Sequence, residues 1–159
     1  MLDDSELHDP HPRTVPVNLQ KGHRYSLKVE YLRGGFGTRL VWLSVIANPV
    51  AEAVAAAKNA DLVVAVVGIT SQLEGEEMKV DLPGFKGGDR TSIDLPKEEE
   101  DLLKGVGATG KPLVVVLMNG RALAGNWAND HANAIMDAWY SGEEGGTAVA
   151  QTLSGRNNP

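Results

Sequence analysis

Cysteine is absent from the 159 residues. That removes disulfides, thiolate metal sites and a cysteine nucleophile, and it leaves the redox compartment open. Long apolar runs are missing as well. The longest, Leu62–Val67, is far short of the roughly 20 residues that cross a bilayer. The residues after Met1, LDDSELHDPHP, lack the apolar stretch of a signal peptide. The expectation is a cytoplasmic chain, or one whose first residue is not the biological N-terminus. Basic charge is scarce: 15 Lys and Arg stand against 21 Asp and Glu, a net charge of −6 with a pI near 5.2. Nucleic-acid phosphates need clustered Lys and Arg, so nucleic acid is a poor partner for this chain.

Several motifs are also missing. No G-x-G-x-x-G lies between a strand and a helix, and no G-x-x-x-x-G-K-[ST] occurs, so a nucleotide-binding α/β protein is only a minor alternative. No G-x-S-x-G occurs either. His131 stands in a polar segment and the other three His lie in the N-terminal quarter. Neither a Ser–His–Asp triad nor a His metal site finds its residues, and each His reads as a surface residue. Internal repeats and low-complexity tracts are absent.

What is present suits one domain, or a domain plus a fragment. Hydrophobic residues make up 42%, enough for a packed core. Residues 1–13, with Pro10 and Pro12, read as a polar lead-in. HRYSLKVEYL then alternates, with Tyr25, Leu27, Val29 and Tyr31 on one face, which predicts a half-buried strand. GGFG is a turn and TRLVWLSV a second strand. This hairpin is marginal alone and must belong to something larger.

The character changes at Pro49. NPVAEAVAAAKNA predicts a helix, with Asn48 as N-cap and Pro49 at its first position. DLVVAVVG is a β-branched run without alternation, predicted to be a strand buried on both faces. SIDLPKEEEDLLKGVGATG gives a second helix, with acids in the first turn where the helix dipole favours them. PLVVVLMNG is another strand, NAIMDAWY a third after a short polar segment, and GTAVAQTLSG a last helix. The order α-β-α-β-(short helix)-β-α predicts an α/β fold built on a parallel sheet. The break near residue 48 is the expected domain boundary, giving units 1–48 and 49–159.

Ligand sites of open parallel sheets form outside the carboxyl ends of the strands. Three segments meet that description: Ile69–Leu95, Asn119–Trp127 and Ser141–Gly146. In the last, SGEEGG places two carboxylates at a helix start, and a structural turn is the favoured reading. The first is the largest. It holds LEGEEMKVDLPGFKGGDR, and ten of the 21 acids lie between Ser71 and Lys104. A connection of 27 residues without its own secondary structure is uncommon and is usually functional or disordered. Clustered carboxylates raise one another's pKa, which is what a general acid requires. Glu74, Glu76 and Glu77 are therefore the candidates, against the plainer reading of a solvated acidic loop.

Taken in order, ADLVVAVVGITSQLEGEE, GGDRTSIDLPKEEEDLL, GKPLVVVLMNG and AIMDAWYSGEEGGTAVAQTLSG resemble the C-terminal α/β sandwich domain of glycoside hydrolase family 3. The resemblance covers about two-thirds of the chain, from Pro49 onward. VNLQKGHRYSLKVEYLRGGFGTRLVWLSV is similar to the last strands of a protective-antigen-type β-sandwich, which in some members is inserted within the α/β domain. The resemblance implies an exo-acting, retaining β-glucosidase, with a β-xylosidase as alternative, whose two carboxyl groups stand about 5–5.5 Å apart. It implies that the nucleophile is an Asp of a barrel domain outside this sequence. It puts the general acid/base at a Glu before a Gly and upstream of an Asp-Arg pair. That is Glu74, before Gly75, with Glu76 and Glu77 as competitors because the insert EEMKVDLPGFKG is longer than usual. Asp89 and Arg90 are then an ion pair or a hydrogen-bonded brace for the loop, with sugar contact the lesser reading. No metal or cofactor is implied. The implied partners are a β-linked glucoside or oligosaccharide and the barrel domain of the same enzyme, not nucleic acid or membrane. A periplasmic or secreted location is favoured. Members usually continue past the equivalent of SGRNNP with a G-[KR]-L-P strand, so a fragment is expected. A non-catalytic carbohydrate-binding or interdomain module is the reading from a different class.

Overall fold

The computed structural model describes residues 15–28, 48–74, 80, 82–87 and 89–158. The chain divides into two units, Met1–Val45 and Ile46–Pro159. In the first unit a turn at Lys21–Gly22 is closed by His23 N–H donating to the Gln20 carbonyl at 3.2 Å. Among the described residues, 23–28 take part in no ladder; a strand was expected over 23–32. Its remaining residues, and the second expected strand at 38–45, lie outside the described residues.

The second unit opens with α1 (Pro49–Lys58), capped as its sequence dictates: Asn48 Oδ1 accepts from Ala51 N–H at 3.0 Å. Then come β1 (Val63–Gly68), a single turn α2 (Ser71–Glu74), the two-residue strands β2 (Phe85–Lys86) and β3 (Asp89–Arg90), and α3 (Lys97–Gly107). β4 (Leu113–Met118), α4 (Asn126–His131), β5 (Ala134–Asp137) and α5 (Gly145–Leu153) complete it. The three long strands form one parallel sheet in the order β1-β4-β5, with Val64 opposite Val114 and Val116 opposite Met136. The α/β architecture and its parallel sheet are as the alternating pattern predicted.

The core lies on one face of this sheet. Ala65 and Val67 of β1 and Leu113, Val115 and Leu117 of β4 meet Ala57 of α1, Leu103 and Val106 of α3, and Ala128 of α4. Alternate residues of a strand point to opposite faces. The other face of β1 therefore carries Val64 and Val66, and they are 44% and 61% exposed. This corrects the expectation of a strand buried on both faces. β1 is an edge of the three-stranded sheet, and only its inner face receives the α1 and α3 layer. The third strand is also shorter than NAIMDAWY. It ends at Asp137, because Trp139 takes a left-handed φ of +54° that no ladder continues.

Candidate functional site

The carboxyl ends of β1, β4 and β5 lie side by side, and a loop leaves each. At the end of β1, Gly68 has φ +145°, and a Cβ there would sit 1.8 Å from the Met118 carbonyl oxygen. Only glycine permits this approach. Ile69 N–H then donates to that carbonyl at 2.9 Å, and Gly68 N–H donates to Glu99 Oε2 of α3 at 2.7 Å. Burial raises the pKa of Glu99. The Gly68 N–H opposes that shift and the charge of Glu98 adds to it.

The next turn places the first acidic candidate. Thr70 caps α2: its Oγ1 accepts from Leu73 N–H at 3.2 Å, and its carbonyl accepts from Glu74 N–H at 2.9 Å. Glu74 consequently stands one turn past the strand, and it is buried to 7% exposure. Arg121, just beyond β4, brings Nε to 2.9 Å from Glu74 Oε2. That oxygen accepts no aligned hydrogen bond, so the contact is an electrostatic one between charges. On the other oxygen, Tyr140 OH lies 3.0 Å from Oε1 and 2.6 Å from the Ile69 carbonyl. A phenol has one proton, so it donates to one of these acceptors at a time. Burial, and then the hydrogen bond and charge of Glu74, push the Tyr140 pKa up to about 12. The phenol thus remains a donor throughout the neutral range.

Tyr140 reaches this position through backbone geometry. Asp137 Oδ1 accepts from Trp139 N–H at 3.3 Å, and the left-handed residue Trp139 turns the chain after β5. The Tyr140 ring then lies over Gly120, where a Cβ would be 2.5 Å from Cε2. Asn119, between β4 and Gly120, is buried with Oδ1 unpartnered among the described residues. One residue from each of three strand-end loops therefore meets in one cluster: Glu74, Arg121 and Tyr140.

The other acidic-loop candidates separate. Glu76 and Glu77 lie outside the described residues. Asp89 is exposed in β3. Arg90 pairs across the β2–β3 ladder with Phe85 and sits over its ring at 5.6 Å. Its guanidinium donates to the Asp94 carbonyl at 2.7 Å and the Ala122 carbonyl at 3.3 Å. These bonds tie the β2–β3 hairpin to the loop after β4, beside the Ala124 N–H to Ile93 carbonyl bond of 2.7 Å. In SGEEGG, Gly145 N–H closes a turn on the Gly142 carbonyl at 3.0 Å, and both glutamates are exposed. His131 is exposed and stacks on Trp127 at 4.5 Å between ring centroids.

Arg121 and Tyr140 were not among the candidates read from the sequence. Each follows a strand closely, in MNGR and AWY, which is the one signal that pointed to them. The grouping is a buried carboxylate between a cation and a phenol donor, a rigid fixing point for the loop that follows β1. Among the described residues, no cluster of His, Asp and Glu could hold a metal ion, and no helix is long and apolar enough to cross a membrane.

The chain is similar to known proteins over most of its length. A xylan 1,4-β-xylosidase of Xylanibacter ruminicola is 39% identical over 93% of this chain, which spans 18% of that enzyme. A periplasmic β-glucosidase of Salmonella typhimurium is 46% identical over 68% of this chain and is spanned to 13%. Among solved structures, a β-glucosidase from Listeria innocua in complex with gluconolactone superposes with a TM-score of 0.59 at 30% identity, covering 73% of this chain and 15% of that one. A β-glucosidase from Kluyveromyces marxianus in complex with glucose gives a TM-score of 0.56 at 32% identity, covering 69% and 12%. The sequence profile of the glycosyl hydrolase family 3 C-terminal domain matches residues 10–159, and the chain belongs to that family.

Proposed function

We propose that this chain contributes the acid/base loop of a retaining, exo-acting β-glucosidase and that the nucleophile comes from a barrel domain of the same enzyme. What supports this reading is Glu74 itself, a buried carboxylate one turn past the carboxyl end of β1, beside Arg121 and Tyr140 from the loops after β4 and β5. The loop glutamate protonates the glycosidic oxygen as the C–O bond breaks and the nucleophilic carboxylate bonds to the anomeric carbon. In the second step the same glutamate takes a proton from the attacking water, which releases the sugar. Sequence order ranks Glu74 first for this role. Tyr140 lies 3.0 Å from Oε1, and Oε2 faces Arg121 Nε at 2.9 Å without an aligned hydrogen bond. A carboxylate has about four lone-pair sites, so these contacts leave it able to carry a proton. We therefore keep Glu74 as the first candidate for the proton carrier, with Glu76 and Glu77 as alternatives.

We read residues 1–48 as the end of an inserted protective-antigen-type domain, on the change of composition near residue 48. The periplasmic relative supports a periplasmic or secreted location. A β-xylosidase is the second reading, favoured by the long alignment with the Xylanibacter enzyme. Comparing kcat/KM for an aryl β-glucoside and the matching β-xyloside in the full-length enzyme decides between them. For the acid/base role, Glu74→Ala, Glu76→Ala and Glu77→Ala are assayed with activated and unactivated glycosides, with and without azide. The carrier's variant should keep most activity on the activated substrate and be rescued by azide. If Glu74→Ala alone behaves so, Glu74 is the carrier. If none of the three does, the loop is a binding or interdomain element.

A further inference from the structure

We propose that the cavity between the β2–β3 hairpin and the start of α3 is a binding site for one neutral pyranose unit. The inference holds whichever glutamate carries the proton. The cavity measures about 290 Å³, close to the lower end of small-ligand pockets at about 300 Å³. The hairpin supplies Phe85 and Arg90, the turn after it Ser92 and Asp94, and the start of α3 Lys97 and Glu100. Arg90 Nη1 donates to the Ala122 carbonyl at 3.3 Å. Ala122 follows Arg121, so one wall of the cavity is a single residue away from the Glu74 cluster in sequence.

The lining selects the ligand. Its two cations, Arg90 and Lys97, are balanced by two anions, Asp94 and Glu100. Lys97 is also paired with Asp101, and Glu100 with Lys104 at 2.8 Å. No net charge is left to draw an ion, which suits a neutral molecule. Hydrogen-bonding groups of both kinds are present. Arg90 gives Nη1 and Nη2 to the Ala122 and Asp94 carbonyls, while its Nε is buried with no acceptor among the described residues. A buried donor of this kind calls for an oxygen to accept from it. Asp94 offers the opposite. Its Oδ2 accepts from Ser92 Oγ at 2.5 Å, and a carboxylate has room for about four such bonds. A hydroxyl both donates and accepts, so a sugar satisfies both residues. Phe85, Leu95 and Pro96 give the lining an apolar part, which matches the C–H face of a pyranose ring. A glycosyl hydrolase domain meets such sugars as substrate and as product.

The test is hydrogen exchange on the full-length enzyme with sugars it does not cleave. Methyl 1-thio-β-D-glucopyranoside probes a free unit, and a thio-linked β-disaccharide probes one unit of a chain. The reporting amides are Phe85 and Thr91, which close the hairpin on the Leu82 and Gly84 carbonyls at 3.0 and 2.8 Å. At ten times the dissociation constant their exchange should slow by up to about tenfold, since only the closed hairpin binds. Phe85→Leu keeps apolar bulk without the ring, and Asp94→Asn keeps an acceptor for Ser92. Binding should weaken by about fivefold and about tenfold respectively, with urea midpoints showing that both variants are folded. Tighter binding of the disaccharide identifies a chain unit, and equal binding a free sugar. No slowing at these amides, or slowing undiminished in both folded variants, overturns the proposal. So does stronger protection by sulfate or a uronate than by the neutral sugar, a comparison that needs no variant.

Discussion

Gly120→Ala is the sharpest perturbation of the cluster, because it removes no functional group. The new Cβ would stand 2.5 Å from Tyr140 Cε2 and 2.8 Å from Cδ2. Carbon atoms rest at about 3.5–4.0 Å, so the ring must retreat by about 1 Å. Its hydroxyl then moves out of reach of acceptors now at 2.6 and 3.0 Å. Overpacking of this kind costs about 1–3 kcal/mol. Losing a hydrogen bond to a charged group costs about 1.5–3 kcal/mol when buried. Tyr140 is 43% exposed, so water replaces part of that bond and the lower half of the range applies. The expected loss is about 2.5–5 kcal/mol in urea unfolding. A double-mutant cycle makes the argument refutable. With Tyr140→Ala in place the ring is gone, and Gly120→Ala should cost less than about 1 kcal/mol. Equal costs in both backgrounds would show that the ring is not why Gly120 is required.

Gly68→Ala should be far worse. Its Cβ would lie 1.8 Å from the Met118 carbonyl oxygen, at a φ that alanine avoids, so the β1–β4 ladder must part. A loss above about 4 kcal/mol is expected, read as disappearance of folded protein, and a wild-type unfolding midpoint would contradict it. Glu99→Gln tests a half-buried carboxylate with the opposite sign. The folded pKa of Glu99 is raised, so its contribution to stability is complete below the unfolded value and is lost as pH rises through the folded one. Glutamine keeps an acceptor for Gly68 N–H without the half-buried charge. The variant should therefore unfold at higher urea than wild type near neutral pH, with the difference vanishing at about pH 3, below the ordinary glutamate value of about 4.3. A gain that persists undiminished in acid would refute this assignment.

The layout of the second unit was legible because each element carries its own local chemistry. Asn48 and Pro49 announce α1, the valine runs announce β1 and β4, and the acids of KEEED announce α3. The exposure of Val64 and Val66 was not legible. A β-branched run states that a strand is favoured and is silent on which faces find a covering layer. That the loops after β1, β4 and β5 meet was legible too, since parallel strands place their loops at one end. Which residues meet there was not. Arg121 and Tyr140 meet Glu74 only through the strand register and through Trp139's left-handed turn, and Trp residues carry no sequence signal for that conformation. Glu74 was singled out as an acid, but not its burial between Arg121 and Tyr140. Thr70, three residues before Leu73, is the cap that turns it inward.

The span of the Tyr140 contacts also sets when the site forms. The bonds to Glu74 and Ile69 join residues 66 and 71 positions apart. Closing a loop of that length costs about 4 kcal/mol before any constant. A single hydrogen bond to a charged group returns only about 1.5–3 kcal/mol. These bonds therefore cannot lead folding; they follow pairing of β1 with β4 and of β4 with β5, the slow non-local steps of a parallel sheet. A refolding chain would gain its ladders first and its loop geometry last. Recovery of the native environment of the Tyr140 hydroxyl after dilution from denaturant is thus a clock for the final step, separate from the earlier return of strand signal.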